Sequence, residues 1–325
     1  MFGLWGRKSD KVAILNYGNF ERENYGAILT AYALSKLLRM NGYDVKNINY
    51  RPNFYQPFAK NDTFVHFRRK FLPMTKTIKT QRDFKKLNKK YSVFVVGSDQ
   101  VFNHDFVRKE NDVYYLGFVD DNRRKVACAA SFGTNRFMGD DAEKQHVHDL
   151  LARFDAISVR EPSGVDILHD MGLDGVYILD PVFLIDWDDM IGNYHPNGTF
   201  YYSIWPQIQN IAADKNTFAS GMSAQDWLAG IKNADLLVTD SFHGICFAIM
   251  FGTPFVPLAL KTDARIERLY ALFDAVGISR DQILYSDSDT DWENLQQYAI
   301  TPNVGDNLDK LRRFSVQWIL DALKG

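Results

Sequence analysis

Two Rossmann-like α/β domains with a ligand cleft between them are the architecture that this sequence predicts, on three observations. The chain has 325 residues, more than a single hydrophobic core usually serves. Short β-rich apolar runs alternate with amphipathic helical stretches, the order that builds parallel sheets with crossover helices. Four of the apolar runs pass directly into polar, glycine-containing segments, and open parallel sheets bind ligands beyond the carboxyl ends of their strands.

The elements follow in order. Val12–Leu15 reads as the first strand. After a polar loop, Tyr25–Met40 reads as a helix with Leu34, Leu37 and Leu38 on one face and Gly42 as its stop. Strands are expected at Val45–Tyr50, Val93–Val96, Val126–Ala130, Ala156–Val159 and Val176–Leu179. A helix over Pro162–Met171 has proline in its opening turn and Gly172 beyond its end. The run LDPVFLIDW (Leu179–Trp187) leads out of a first domain spanning 1–187. The second domain, 188–325, holds strands at Phe200–Ile204, Leu236–Val238, Phe255–Leu258 and Ile283–Tyr285. Its stretch between Trp205 and Asp226 is short for a strand–helix unit, and the amphipathic tail Leu308–Leu323 could pack on either domain.

Composition narrows the function. Hydrophobic content of 46% and charged content of 24% are those of a globular protein. A formal net charge of −2 argues against a nucleic-acid binder. Cys128 and Cys246 sit in apolar runs and read as buried thiols of a reducing compartment. No apolar stretch approaches bilayer length and MFGLWGRKSD lacks a signal-peptide core, so a cytoplasmic location is expected. Neither G-x-G-x-x-G nor a phosphate-binding Walker loop is present, nor zinc spacing, nor a G-x-S-x-G elbow. Asp287, Asp289 and Asp291 have calcium-loop spacing, but Trp292 stands where glycine is required. No cofactor and no metal are expected.

The four strand ends carry the candidate site. NYGNFERENYGA (Asn16–Ala27) could form a backbone anion nest with Gly18, Asn24, Tyr25 and Gly26. In GSDQVFN (Gly97–Asn103), Asp99 and Gln100 suit either a polyhydroxyl acceptor or the orientation of a histidine, and turn formation explains them equally well. In REPSG, Arg160 offers a fork for a carboxylate or phosphate, or for an internal acid. TDSFHG is the sharpest. Asp240 and Ser241 read as caps, Gly244 permits close backbone approach, and His243 stands at a helix start where anions bind and protons are exchanged.

These segments resemble the polysaccharide pyruvyl transferase family. The pieces that carry the resemblance are NYGAILTAYALSKLL, FVVGSDQVFN, YYLGFV, AASFG, SVREPSGVDIL, LDPVFL and DWLAGIKNADLLVTDSFHGICFAIMFGTPFV, in that order, across most of Lys11–Val256. The resemblance implies a GT-B-like pair of Rossmann domains. It also implies transfer of pyruvate from phosphoenolpyruvate to a sugar of a surface or capsular polysaccharide precursor, forming a cyclic ketal. His243 and Arg160 fall on positions associated with the phosphoenolpyruvate site. Combining residues and resemblance, the expected catalytic pair is His243 and Asp99. The expected donor contacts are Arg160, His243, Gly244, Ser241 and Gly26, and the acceptor contacts Asn24, Tyr25, Gln100 and Asn103. Many members carry arginine and an apolar residue before the His-Gly pair, whereas Ser241 and Phe242 stand here. Arg123, Arg136, Lys261 and Arg265 are the candidates to replace that cation. A nucleotide-sugar glycosyltransferase and a non-catalytic glycan-binding protein are the competing readings.

One further segment stands out. Phe64–Tyr91 holds ten lysines and arginines against a single acid, Asp83, with Phe64, Phe67, Phe71 and Phe84 interleaved. It reads either as a solvated helical face or as a patch for anionic lipid. The latter suits a polyprenyl-diphosphate-linked acceptor and peripheral contact at the inner face of the membrane.

Overall fold

The apolar runs of the first domain assemble into seven parallel strands, because each is flanked by a helix long enough to return the chain to the same edge. They are β1 (Lys11–Leu15), β2 (Asp44–Tyr50), β3 (Met74–Ile78), β4 (Val93–Asp99), β5 (Arg124–Ala130), β6 (Ala156–Val159) and β7 (Val176–Tyr177). Their order in space is β3-β2-β1-β4-β5-β6-β7, so the winding reverses between β1 and β4. The computed structural model describes residues 10–17, 23–51, 62–107, 111–205, 221–260, 266–285, 291, 293–303 and 305–324. The readings on Gly18, Lys261, Arg265, Asp287, Asp289 and Trp292, and most of the short stretch after Trp205, lie outside these residues.

Both faces of this sheet are covered, and residue alternation along β1 shows how. Val12 and Ile14 join one core with α1 (Tyr25–Met40) and α2 (Asp62–Phe71). Ala13 and Leu15 join the other, with α3 (Gln81–Lys90), the short α4 (His104–Val107) and α5 (Asn111–Tyr114), α6 (Asp141–Leu151) and α7 (Pro162–Asp170). Thus α2 and α3 lie on opposite faces. The basic segment 64–91 is therefore divided between two sides of the sheet, with Phe64 and Phe67 buried in one core and Phe84 in the other. Between them β3 forms an edge strand where a continuous helical face was one expectation. Pro73 cannot continue α2, and the β-branched MTKTI run suits an edge.

The second sheet is smaller. β8 (Thr199–Tyr202), β9 (Leu236–Thr239), β10 (Phe255–Ala259) and β11 (Leu284–Tyr285) run parallel and lie side by side in chain order. With them come α8 (Ala224–Asn233), α9 (Phe242–Phe251), α10 (Glu267–Val276) and α11 (Asp306–Lys324). The last helix, expected on either domain, returns to the first. Arg312 Nε donates to the Phe183 carbonyl, and Ser315 Oγ accepts the Leu179 amide at 3.0 Å. The larger core runs without interruption from α1 through the 3-10 turn Pro181–Leu184 into α8 and α9. No helix among the described residues is long and apolar enough to cross a membrane.

Candidate functional site

Two helix starts meet where the domains join. On the first domain, Asn24 caps α1 by accepting the Ala27 amide at 3.0 Å, and Gly26 lies in the opening turn. On the second, Ser241 caps α9 by accepting the Gly244 amide at 3.2 Å, and His243 follows. A Cβ built on Gly26 would overlap His243 Nδ1. Gly26 is thus the residue that lets the imidazole lie against α1. Both helix starts direct positive dipole ends at this junction, a field that favours anions.

Behind the histidine is a buried polar network at the carboxyl ends of β4, β6 and β7. Arg160, buried and directly after β6, donates from Nη2 to Asp99 Oδ1 at 2.9 Å and from Nη1 to Asp180 Oδ2 at 2.7 Å. Asp180 also accepts from Ser98 Oγ at 3.0 Å, Thr30 Oγ1 at 3.2 Å and the Val182 amide at 3.1 Å. His243 Nε2 lies 3.1 Å from Thr30 Oγ1 and 3.6 Å from Asp180 Oδ2. Arg160 Nη1 lies 3.5 Å from the same Nε2, so the donor and acceptor roles at this nitrogen follow the tautomer of the ring. Nδ1 lies on the Gly26 side.

Charge in this network follows from burial and pairing together. Burial alone would raise the Asp180 carboxyl, but hydrogen bonding and charge from His243 and Arg160 outweigh it and hold the group below the usual carboxylate range. Asp99 is likewise held low against its burial, by Arg160, His243 and Arg268. Glu161 goes the other way. Burial raises it in spite of Arg160, although its Oε1 accepts the Phe132 amide at 3.0 Å. Asp99 has φ +85°, in the left-handed region that non-glycine residues rarely enter. That backbone turn accompanies a carboxylate directed at Arg160.

The sequence-derived candidates are therefore distributed unevenly. His243, Arg160, Asp99 and Gly26 converge. Ser241 and Gly244 are adjacent to them and satisfy each other as the α9 cap. Gln100 and Asn103 are buried a few residues past Asp99, with Asn103 Nδ2 donating to Gln100 Oε1 at 2.8 Å, a loop bond rather than an open surface. Tyr25 is fully buried: its ring stacks on Trp227 at 4.8 Å with 5° between planes, and its hydroxyl donates to the Met222 carbonyl at 3.1 Å. It packs one domain onto the other, where an acceptor contact had been expected. Asp240 does not cap α9. It ties the end of β9 to the loop after β8, accepting from Ser203 Oγ and the Ile204 and Trp205 amides at 2.7–2.8 Å. Of the replacement cations, Arg123 precedes β5 at the opposite sheet edge, and Arg136 is exposed on the loop after β5.

A model of the polysaccharide pyruvyl transferase family matches residues 24–262, a span that includes every residue of this junction. The chain belongs to the polysaccharide pyruvyl transferase family. No curated protein matches it. Its fold is GT-B-like, as in three solved structures. A putative UDP-N-acetylglucosamine 2-epimerase from Listeria monocytogenes superposes with TM-score 0.56 at 12% identity, over 98% of this chain and 96% of that one. The Neisseria meningitidis UDP-GlcNAc 2-epimerase bound to UDP-GlcNAc gives 0.56 at 11%, over 96% and 100%. Anabaena HepE in complex with UDP and glucose gives 0.54 at 11%, over 97% and 99%.

For this pyruvyl transferase family member, sequence reasoning missed Asp180, Thr30 and Ser98. Asp180 had a signal: it ends the run VYILD and is followed by proline, which makes β7 a fifth strand with a polar terminus. Thr30 gave none, being one uncharged residue inside an amphipathic helix.

Proposed function

We propose that this chain transfers pyruvate from phosphoenolpyruvate to two hydroxyls of a sugar, forming a ketal and releasing phosphate. The observation that carries the reading is His243. It is a histidine at a helix start, against a second helix start, with Nε2 beside Thr30 and Arg160 and Nδ1 against Gly26. The reaction needs protonation of C3, cationic character at C2, loss of phosphate, and one proton removed from each hydroxyl. An imidazole that alternates between acid and base serves these steps, an effect typically of ~10²–10⁴-fold. The converging helix dipoles suit the anion that leaves. Arg160 and Asp99 act here by fixing Asp180 and the histidine rather than by touching donor.

The acceptor in this reading is a sugar of a surface or capsular polysaccharide precursor carried on a polyprenyl diphosphate, with the protein peripheral to an anionic membrane face. A nucleotide-sugar transfer is the second reading, favoured by the UDP and UDP-GlcNAc named with two of the similar folds. One fold hosts either chemistry. Thermal unfolding with each ligand separates them, since a ligand at a hundred times its dissociation constant stabilises by ~2.7 kcal/mol. Phosphoenolpyruvate is expected to raise the melting temperature and UDP to leave it unchanged; the reverse would favour the second reading.

A further inference from the structure

We propose that the cleft between the C-terminal ends of α1 and α2 and the start of β2 is a second anion site, built for a phosphoryl group. Arg39, Lys46, Arg69 and Lys70 line it, with Asp44 as the acid, around a volume of about 350 Å³. That space is near the lower end for small-ligand sites and accommodates a phosphate with a small group attached. It is separate from the His243 junction. His243 lies against the start of α1 and the cleft lies at its end, 16 residues on. At ~1.5 Å per residue the helix between them spans about 24 Å.

Helix ends often collect cations that serve the helix dipole, and that explanation falls short here. The last carbonyls of α1 accept from the amides of Asn41, Gly42 and Tyr43 and from Asn41 Nδ2, which donates to the Leu37 carbonyl at 2.8 Å. Arg39 is not needed as a cap. Lys46 is on a strand, where no helix dipole calls for it. Among the described residues none of the four cations forms a hydrogen bond or ion pair, and Asp44 pairs with none of them. Lys70 instead rests over the Phe71 ring, 5.0 Å from its centre. Unpaired like charges around one cleft repel each other and build a potential that draws anions. Arg39 and Arg69 offer planar forks for phosphate oxygens, and Lys46 and Lys70 add point charges. The cleft also has apolar surface beside it. Met40, next to Arg39, is 70% exposed, and Tyr43 and Phe71 in the lining are half-buried. Charge beside apolar surface favours the head of an anionic lipid over a free phosphate as the source.

The anion site does not depend on the pyruvyl transferase reading; its lipid source rests on the membrane contact proposed with that reading. Two arms, both on the full chain at low salt, distinguish the sources. Calorimetry with inorganic pyrophosphate probes a soluble anion, and flotation with vesicles of phosphatidylglycerol in phosphatidylcholine probes a lipid head. Two double variants each remove a pair of cations from the cleft: Arg69→Gln with Lys70→Gln, and Arg39→Gln with Lys46→Gln. A third, Lys85→Gln with Lys89→Gln, removes the same charge from α3 on the opposite face of the sheet. Each cleft pair is expected to weaken binding at least ~10-fold, the scale of two basic residues near an anionic surface. The α3 pair is expected to bind nearly as the unaltered protein does. Loss in the vesicle arm supports the site with a lipid head as its ligand. Loss in the pyrophosphate arm alone supports the site and replaces the lipid by a soluble phosphate. No binding in either arm overturns the proposal, as does binding unchanged in both cleft pairs or an equal loss in the α3 pair. Should one cleft pair lower the melting temperature, the other decides.

Discussion

The imidazole of His243 is held on one side by Thr30 and on the other by the absence of a Cβ at Gly26, and both constraints are open to test. His243→Ala removes the proposed proton carrier and is expected to lower turnover at least ~10²-fold with the melting curve preserved. Near-normal turnover in that folded variant would take the histidine out of the mechanism. Gly26→Ala introduces a methyl into the space of Nδ1. A displacement of about 1 Å at a reacting group can cost ~10²-fold, so turnover in this variant should approach that of His243→Ala. Arg160→Ala leaves Asp99 and Asp180 buried without their counter-ion, and breaking such a pair costs ~3–5 kcal/mol. Denaturant unfolding should register that loss, whatever happens to donor affinity. The depressed Asp99 and Asp180 carboxyls also fix a pH dependence. Their folded values lie below the ~3.9 of an unfolded aspartate, so their stabilisation is complete above that pH and drains away as pH falls through the folded values. Glu161, raised by burial, has the opposite sign and gives up its contribution as pH rises. Asp180→Asn should therefore flatten the acid limb of a stability–pH profile. An unchanged limb would mean that Asp180 is not held low.

Among the elements, α2 and α3 separate what the sequence displayed as one patch. Periodicity could show that each helix buries phenylalanine and exposes cations, but only the order of strands in space could show that the two lie on opposite faces. The C-terminal ends of α1 and α2 still gather positive charge at the amino edge of the sheet. There Arg39, Lys46, Arg69 and Lys70 line a cleft of about 350 Å³ with Asp44 as its acid. It lies at the edge remote from His243. Phe64, Phe67 and Phe84 are buried, so membrane contact through these helices would rest mainly on charge, with Phe71 the half-buried aromatic at the cleft. Co-sedimentation with anionic vesicles at low salt should be abolished by added salt and by Arg69→Glu with Lys70→Glu. Protein that stays in the supernatant at low ionic strength removes the membrane from the account. The junction elements carry a different prediction. Trp227 is fully buried and stacked on Tyr25 between the domains, so Trp227→Ala should cost ~3–5 kcal/mol in unfolding. A loss below about 1 kcal/mol would mean that the aromatic stack contributes little to the join.

Across the whole molecule, the sequence was most legible where chemistry is local and least where it is assembled from distant segments. The α1 span 25–40 agrees with its reading because apolar periodicity and Gly42 are local signals. The strand ends GSDQ, VREPS and TDSFHG were recognisable for the same reason. What their residues bond to was not. Arg160 could be read as a donor contact or an internal pair, and choosing required Asp180, 20 residues on, and Asp99, 61 residues back. Tyr25, at the start of α1 beside a glycine, reads as an acceptor contact until α8 supplies Trp227. The return of α11 to the first domain, through Ser315 and Arg312, had no local sign either. The resulting molecule is two sheets sharing one apolar core, with a histidine at their junction, and the claim that matters is what that histidine catalyses. Mass spectrometry of candidate glycans and lipid-linked sugars incubated with the full chain and phosphoenolpyruvate tests it. The account predicts a product heavier by one pyruvyl ketal, equimolar phosphate release, and neither with His243→Ala. An acceptor that gains no pyruvyl mass from phosphoenolpyruvate but gains a sugar from a nucleotide sugar would contradict it.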